Sequence, residues 1–425
     1  MFEVREKPRR VERALLVSVI QRKEEEERAE SLLEELGELT ENLGIEVMGS
    51  VVARARKKYP KYLLGKGKLE EVVGLAAAGD CDVIIFDNEL TPGQQRNWEE
   101  ASKVLVIDRH EVIIDVFAER ARTREATLQV ELARLEYSLP RLRRAWTHLG
   151  RQRGGGVTQR GEGEAQIELD QRMLRDKIAA TKRELEEVIR QRSVSRKRRR
   201  RVPVPTASIV GYTNAGKSTL LNKLTGAKVY AADKLFATLD PTSRKVTLPS
   251  GRTLVLTDTV GFVRNLPHRL VDAFKATLEE ALVADFLIHV VDLSSGEVAE
   301  QMETTLEVLK ELGAEDKKIV TVFNKTDLVE DDMVMAGARA RVSDGVFLSA
   351  ATGEGVEALL KSCDEALGEG VKEAEFLVPH ARYDLVARLR REGAIREEEP
   401  QDEGTFLVAA PSGAMTTVME QFRRS

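Results

Sequence analysis

The stretch Ala207-Ser-Ile-Val-Gly211-Tyr-Thr-Asn-Ala-Gly216-Lys-Ser218 decides the fold of the central part of this 425-residue chain. An apolar run leads into a Gly-x4-Gly-Lys-Ser octapeptide, and leucines at helical spacing follow, which predicts a strand, a phosphate loop and a helix. The glycines let backbone N–H groups close on phosphate oxygens, the lysine reaches the β- and γ-phosphates, and the serine hydroxyl binds Mg²⁺. The predicted nucleotide-binding residues are Gly211, Tyr212, Thr213, Asn214, Ala215, Gly216, Lys217, Ser218 and Thr219.

A second apolar strand ends in Asp258, within Leu254-Val-Leu-Thr-Asp-Thr-Val-Gly261. We expect Asp258 to hold Mg²⁺ through water, and the Gly261 N–H to contact the γ-phosphate as part of a switch that hydrolysis releases. The predicted contacts are Asp258, Thr259, Val260 and Gly261. One such motif alone arises by chance, whereas several in this order, each at the end of a strand, favour a nucleotide-hydrolysing domain.

A third strand, Ile319-Val-Thr-Val-Phe, ends in Asn324-Lys-Thr-Asp327. The Asp327 carboxylate can accept from both N1–H and the exocyclic amine of guanine, a donor pair that adenine lacks. Backbone N–H groups of Ser349-Ala-Ala351 are expected near the guanine O6. The predicted guanine-binding residues are Asn324, Lys325, Thr326, Asp327, Ser349, Ala350 and Ala351.

The first switch is predicted between the phosphate loop and Asp258, in Leu235-Phe-Ala-Thr-Leu-Asp-Pro-Thr242. Thr238 would complete the Mg²⁺ shell with Ser218 and Asp258, and Thr242 is the alternative. The predicted contacts are Phe236, Ala237, Thr238, Leu239 and Asp240. Together with Lys217 and Gly261, Thr238 is predicted to be catalytic.

Phe262 stands where many GTPases carry the glutamine that orients the attacking water. An apolar ring cannot position water by hydrogen bonding, so we expect slow hydrolysis until another group completes the site. The candidates are a partner's residue or backbone, K⁺ beside Asn214, or a rearrangement of residues 260–264. Phe262 is alternatively only a core residue.

Composition excludes several classes. The chain is 42% hydrophobic, 32% charged and carries a net charge of -5, so its Lys and Arg matter locally rather than in sum. Its two cysteines, Cys81 and Cys363, exclude a disulfide framework. No apolar run approaches the length of a membrane span, so the cytoplasm is the expected location. We also expect the protein to be monomeric.

Residues 1–115 alternate short apolar runs with amphipathic stretches, which predicts a small parallel α/β domain. Within it, Gly65-Lys-Gly-Lys68 precedes a helix and could seat a phosphate, although a solvated basic turn is the simpler interpretation. Residues 371–425 predict a small α/β appendage without a recognisable motif.

Two leucine-rich heptad seams, from Leu128 to Leu149 and from Leu174 to Val188, predict an antiparallel helical hairpin over residues 116–195. Pro140 is expected to kink or interrupt the first arm. Residues 141–160 contain no Asp or Glu, and the glycine-rich tip at 149–163 suits insertion into a phosphate-rich surface rather than a merely solvated loop. With the basic linker at 196–205, the RNA-contact candidates are Arg141, Arg143, Arg144, Arg151, Arg153, Arg160, Arg198 and Arg199.

With these motifs in place, the chain resembles the HflX family of ribosome-associated GTPases over nearly its whole length. The specific matches are the phosphate loop, Phe236-Ala-Thr-Leu-Asp-Pro241, Asp258 to Pro267 continuing through Glu280, and Glu168-Leu-Asp-Gln-Arg172. The fold is then α/β and multidomain, with a P-loop GTPase domain at 206–370. Glu162 stands where the family usually has Pro.

The resemblance implies a Mg²⁺-dependent GTPase that binds the large ribosomal subunit and its rRNA, inserts the hairpin tip toward the peptidyl-transferase centre and dissociates stalled ribosomes. It also associates the N-terminal domain with adenine nucleotides, which no motif here supports independently. A tRNA-modifying GTPase is the weaker alternative, because that class has a C-terminal cysteine motif and no cysteine follows Cys363. A GTP-locked RNA-binding scaffold with little turnover is the non-enzymatic alternative.

Overall fold

The computed structural model describes residues 11–57, 59–145, 158–199, 204–226, 235–236, 241–265, 281–368, 374–391, 394–411 and 414–424. These residues fall into two compact units. The first contains residues 11–189 with Leu235, Phe236 and Asn265, and the second contains the remainder. In the part of the chain described, no helix is long and apolar enough to cross a membrane.

The first unit begins with a four-stranded parallel sheet in the order β2-β1-β3-β4. Its strands are β1 (Arg13–Ile20), β2 (Glu46–Arg54), β3 (Val83–Phe86) and β4 (Leu105–Asp108). The helices are α1 (Glu26–Asn42), α2 (Lys66–Ala78), α3 (Pro92–Ser102) and α4 (Arg109–Arg120). The prediction of a parallel α/β domain is therefore confirmed. Parallel strands are buried on both faces of their sheet, which is why helices alternate with them along the chain. The predicted boundary at residue 115 falls inside α4.

A helical pair follows, formed by α5 (Arg124–Ala145) and α6 (Thr158–Arg199). Leu128 and Leu132 pack against Leu185, and Lys177 and Lys182 of α6 form ion pairs of 2.8 and 2.7 Å with Glu131 and Glu136 of α5. Helix α5 runs through Pro140, so the proline does not interrupt it. Helix α6 extends four residues into the predicted basic linker.

The second unit contains a six-stranded sheet in the order β10-β9-β8-β5-β7-β6. Its strands are β5 (Thr206–Gly211), β6 (Thr242–Thr247), β7 (Thr253–Asp258), β8 (Phe286–Asp292), β9 (Ile319–Asn324) and β10 (Val346–Phe347). Only β6 among these is antiparallel to its neighbour. The flanking helices are α7 (Lys217–Thr225), α8 (Val298–Glu311), α9 (Asp332–Arg341) and α10 (Val356–Gly368).

The C-terminal residues form an antiparallel sheet in the order β11-β13-β12, with β11 (Ala374–Val378), β12 (Ile395–Gln401) and β13 (Gly404–Ala409). Helices α11 (Tyr383–Arg391) and α12 (Ala414–Met419) bury Leu385, Leu389 and Met415 in its core. Sequence reasoning missed β12, whose Ile-Arg-Glu-Glu-Glu-Pro-Gln sequence lacks the apolar residues that mark a strand.

Candidate nucleotide site

The three motifs meet at one edge of the six-stranded sheet. The phosphate loop follows β5, Asp258 ends β7 and Asn324 ends β9, and these three strands run parallel to the intervening β8 in one sheet. The carboxyl ends of parallel strands lie at the same edge, where ligands of open α/β sheets bind. The structure therefore places the phosphate loop, Asp258 and Asn324 at the same edge of the sheet.

Two glycines of the phosphate loop are required by close backbone approach. Gly211 has φ of 147°, and a Cβ there would lie 2.2 Å from the Val290 carbonyl oxygen. Gly216 has φ of 90°, and a Cβ there would lie 2.2 Å from Nδ2 of Asn324. Both backbone conformations are ones that L side chains rarely adopt, so any larger residue would displace the loop.

Lys217 is buried beneath the loop. Its Nζ donates to the carbonyl oxygens of Tyr212 at 2.6 Å and Gly211 at 3.1 Å. Burial lowers the pKa of Lys217 to about 8, and the negative charge of Asp258 acts in the opposite direction. Burial, with the charge of Lys217, lowers the pKa of His289 to about 4, so this imidazole is neutral at physiological pH.

Ser218 and Asp258 form the core of the predicted metal site. The Ser218 hydroxyl donates to Oδ2 of Asp258 at 2.6 Å, and Asp258 is fully buried. A hydroxyl and a carboxylate are hard oxygen ligands of the kind Mg²⁺ prefers, so this pair fits the ion. Among the residues described, no three His, Cys, Asp or Glu side chains form a metal cluster.

The first predicted switch is described only in part. Ala237, Thr238, Leu239 and Asp240 lie outside the described residues, so their contacts stay predictions. Phe236 is 1% exposed, with its ring 4.5 Å from that of Phe117, and its φ of 55° is uncommon for a bulky residue. The alternative threonine, Thr242, begins β6 and pairs with Asp258 in the antiparallel ladder.

The second predicted switch pairs with the phosphate loop through its backbone. The Thr213 N–H donates to the Phe262 carbonyl at 2.7 Å, and the Phe262 N–H donates to the Gly211 carbonyl at 3.1 Å. The Phe262 ring is fully buried, in agreement with its alternative interpretation as a core residue. Sequence reasoning missed Arg264, which is 4% exposed and forms an ion pair of 3.0 Å with Glu297. Nothing in its sequence context signals that pairing.

Asn324 joins the phosphate loop to the predicted base loop. Its Nδ2 donates to the Ala215 carbonyl at 2.8 Å, and its Oδ1 accepts from the Ala350 N–H at 2.9 Å. Lys325 forms an ion pair of 2.7 Å with Asp292, and Asp327 is exposed. The amide of Asn324 thus fixes the spacing between phosphate and base sites.

Of the arginines predicted to contact RNA, only Arg141 has a described side chain. Its guanidinium donates to Asp108 and to the Leu90 carbonyl, both at 3.1 Å, and stacks over the Tyr137 ring. Arg141 is therefore engaged within the first unit. Arg151 and Arg153 lie outside the described residues, and only the helical backbone is described at Arg143, Arg144, Arg160, Arg198 and Arg199.

The first unit holds a cavity of about 370 Å³, lined among others by Val19, Asp87, Glu89 and His110. Burial lowers the pKa of His110, so its imidazole carries little positive charge. The Asp87 carboxylate is paired with Arg109 at 3.0 Å, and the carboxylate of Glu89 would repel phosphate groups. This lining gives no independent support for an adenine nucleotide in the N-terminal domain.

Three sequence families match consecutive parts of the chain. They are described as GTP-binding GTPase N-terminal over residues 30–118, GTP-binding GTPase Middle Region over 120–199, and 50S ribosome-binding GTPase over 206–325. The matched segments cover the parallel α/β domain from residue 30 onward, the helical pair and the larger part of the six-stranded sheet.

Curated relatives extend over the whole chain. A protein named GTPase HflX from Akkermansia muciniphila is 52% identical over 99% of both chains, and one from Magnetococcus marinus is 44% identical over 96% of this chain and 94% of its own. Among solved structures, a GTP-binding protein from the archaeon Sulfolobus solfataricus in complex with GDP matches at 26% identity and a TM-score of 0.42, over 84% of this chain and 98% of its own.

Proposed function

The chain belongs to the HflX family of GTPases, and we propose that it couples GTP hydrolysis to dissociation of stalled ribosomes through the large subunit. Two long helices, α5 and α6, support this proposal, because they form a braced antiparallel pair held by buried leucines and ion pairs. The sequence between them is rich in Arg and Gly and lacks acidic residues from 141 to 160. A rigid arm with a cationic end suits insertion into RNA.

Each predicted residue of the nucleotide site has a proposed role toward the phosphates or the metal ion. Lys217 neutralises charge on the β- and γ-phosphates, and the Gly261 N–H contacts the γ-phosphate. Ser218 and Asp258 would hold Mg²⁺, directly and through water respectively, with Thr238 completing the shell. When bound, the ion would neutralise charge that develops on the phosphate oxygens.

Hydrolysis in the isolated protein is expected to be slow. Phe262 offers no polar side-chain group to orient water, and its backbone N–H and carbonyl are hydrogen-bonded to Gly211 and Thr213 of the phosphate loop. The completing group is a ribosomal residue, K⁺ beside Asn214, or a rearrangement of residues 260–264. Turnover measured in KCl and in NaCl separates the second possibility, because only a K⁺-dependent site loses activity in Na⁺.

The test is GTP and ATP turnover with and without 50S subunits, for the wild type and Lys217→Ala. We expect 50S subunits to raise GTP turnover many-fold and Lys217→Ala to abolish that activity. Ribosome splitting, followed by light scattering, should disappear on deletion of residues 149–163. Unchanged splitting by the deletion variant would contradict the proposal, and turnover equal with and without ribosomes would favour the scaffold alternative.

A further inference from the structure

The segment 54–68, called here the β2–α2 loop, is strongly basic and includes the last residue of β2, the connection to α2 and the first three residues of α2. It contains seven Lys and Arg residues, and no Asp or Glu occurs between Val47 and Leu69. Such an exclusion of acids also marks residues 141–160 and the basic linker at 196–205, the segments predicted to contact RNA. The loop therefore concentrates positive charge on one surface of the first unit.

Four cationic side chains of the β2–α2 loop are exposed to solvent and lie outside the ion pairs that Lys66 and Lys68 form with Glu70 and Glu71. Arg54, Arg56, Lys57 and Lys61 are exposed, and within the described part of the chain no carboxylate pairs with the latter three. The ammonium groups of Lys57 and Lys61 lie 5.4 and 4.9 Å from the ring centroids of Tyr59 and Tyr62. Basic and aromatic side chains thus alternate along the same surface.

The backbone of the loop is fixed from within the unit. Tyr59 and Leu63 exchange two backbone hydrogen bonds of 2.8 and 3.2 Å. The indole N–H of Trp98 donates to the Tyr62 carbonyl, and the Asn97 amide donates to the Lys61 carbonyl, both at 2.9 Å. A surface held in this way loses little conformational entropy when a ligand binds.

We propose that the β2–α2 loop is a second RNA-binding surface, separate from the hairpin tip. Phosphates would pair with Arg56, Lys57 and Lys61, and unstacked bases would stack on Tyr59. An anionic membrane is a poorer match, because Leu63 and Leu64 are buried and the described residues of the loop expose no large apolar side chain to insert. The inference rests on the proposed function for the identity of the RNA as ribosomal.

The test uses the full-length protein and a fluorescein-labelled 20-nucleotide single-stranded RNA, with affinity measured by anisotropy. A triple variant combines Arg56→Gln, Lys57→Gln and Lys61→Gln, and a matched control combines Arg28→Gln, Lys310→Gln and Arg341→Gln at other exposed positions. Each lost phosphate contact lowers the salt slope by about 0.7. Over a tenfold rise in salt, the wild type should therefore lose about 100-fold more affinity than the triple variant does.

The RNA affinity of Tyr59 variants is a second measurement, which tests base stacking and does not depend on a change of charge. Tyr59→Leu should weaken RNA binding at least about fivefold, whereas Tyr59→Phe should retain it, because every base stacks on an aromatic face. The inference is overturned if the triple variant binds RNA as tightly as the control variant does. It is also overturned if the wild type binds vesicles containing phosphatidylserine as tightly as it binds the RNA.

Ribosome-stimulated GTP turnover separates this inference from the proposed function. If 50S subunits stimulate turnover while the triple variant binds RNA like the control, the inference fails and the function stands. If the triple variant loses RNA affinity but 50S subunits stimulate nothing, the function fails and the RNA surface stands.

Discussion

Replacing Asn324 with alanine tests whether one amide holds the two halves of the nucleotide site together. The side chain is 2% exposed, and both ends of its amide are used, by the Ala215 carbonyl and the Ala350 N–H. Alanine would leave those two backbone groups without their partner.

The cost follows from the two groups left behind. A buried polar group that loses its hydrogen bond costs about 1–3 kcal/mol, so the two together cost about 2–6 kcal/mol before water enters the space. Bound GDP would have to restore the spacing of the loops, so the loss appears largely in affinity. We expect GDP to bind roughly 30- to 1000-fold more weakly, which corresponds to about 2–4 kcal/mol.

Titration with a fluorescent GDP analogue measures this effect, and Asn88→Ala provides a matched control. The Asn88 amide also makes two backbone hydrogen bonds, accepting from the Val19 N–H at 2.6 Å and donating to the Val19 carbonyl at 3.1 Å, in the first unit. The control should lower the melting temperature while GDP affinity is kept. GDP affinity of Asn324→Ala within twofold of wild type, or an equal loss in Asn88→Ala, would refute the reasoning.

Three further outcomes are expected. Asp327→Asn should shift preference from GTP to XTP in competition assays, because an amide donates where the carboxylate accepted and xanthine carries a carbonyl in place of the 2-amino group. Burial, aided by nearby carboxylates, raises the pKa of Glu111 from 4.5 to about 7. The folded state therefore binds this proton more tightly than the unfolded chain, so stability is full below about pH 4.5 and declines as pH rises to 7, by about 3 kcal/mol. Glu111→Gln should flatten that decline in unfolding measurements at pH 5 and 8. Burial raises the pKa of Cys363 to about 12, so iodoacetamide should label it far more slowly in the native protein than in urea.

Local sequence was informative where one strand and one loop carry the signal. The strand before Gly211 and the strand ending at Asp258 were predicted from apolar patterning, and both are present. The prediction that Pro140 could interrupt its helix was wrong, because α5 continues through it, whereas the kink stays a prediction. Packing of α5 against α6 and the hydrogen bonds of Arg141 outweigh one missing backbone bond.

Charge was the least reliable local signal. Arg141 belongs to an acid-free segment and was predicted as an RNA-contact candidate, yet it lies against the buried carboxylate of Asp108. Asp108 is 33 residues from Arg141 in the sequence, and no pattern within the helix predicts this contact. The strand Ile395–Gln401 was missed for the same reason, because its pairing with β13 gives it structure that its charged residues do not predict.

The sequence by itself determined that this protein binds and hydrolyses GTP and belongs to the HflX family, because phosphate and guanine recognition require particular residue types at fixed local spacing. Only the tertiary structure decided how those pieces act together. Asn324 bridging two loops, Phe262 held on the phosphate loop and the basic β2–α2 loop fastened by Trp98 all depend on residues far apart in the chain. Such contacts exist only after the sheets have aligned their strand ends and the core has fixed each side chain in place.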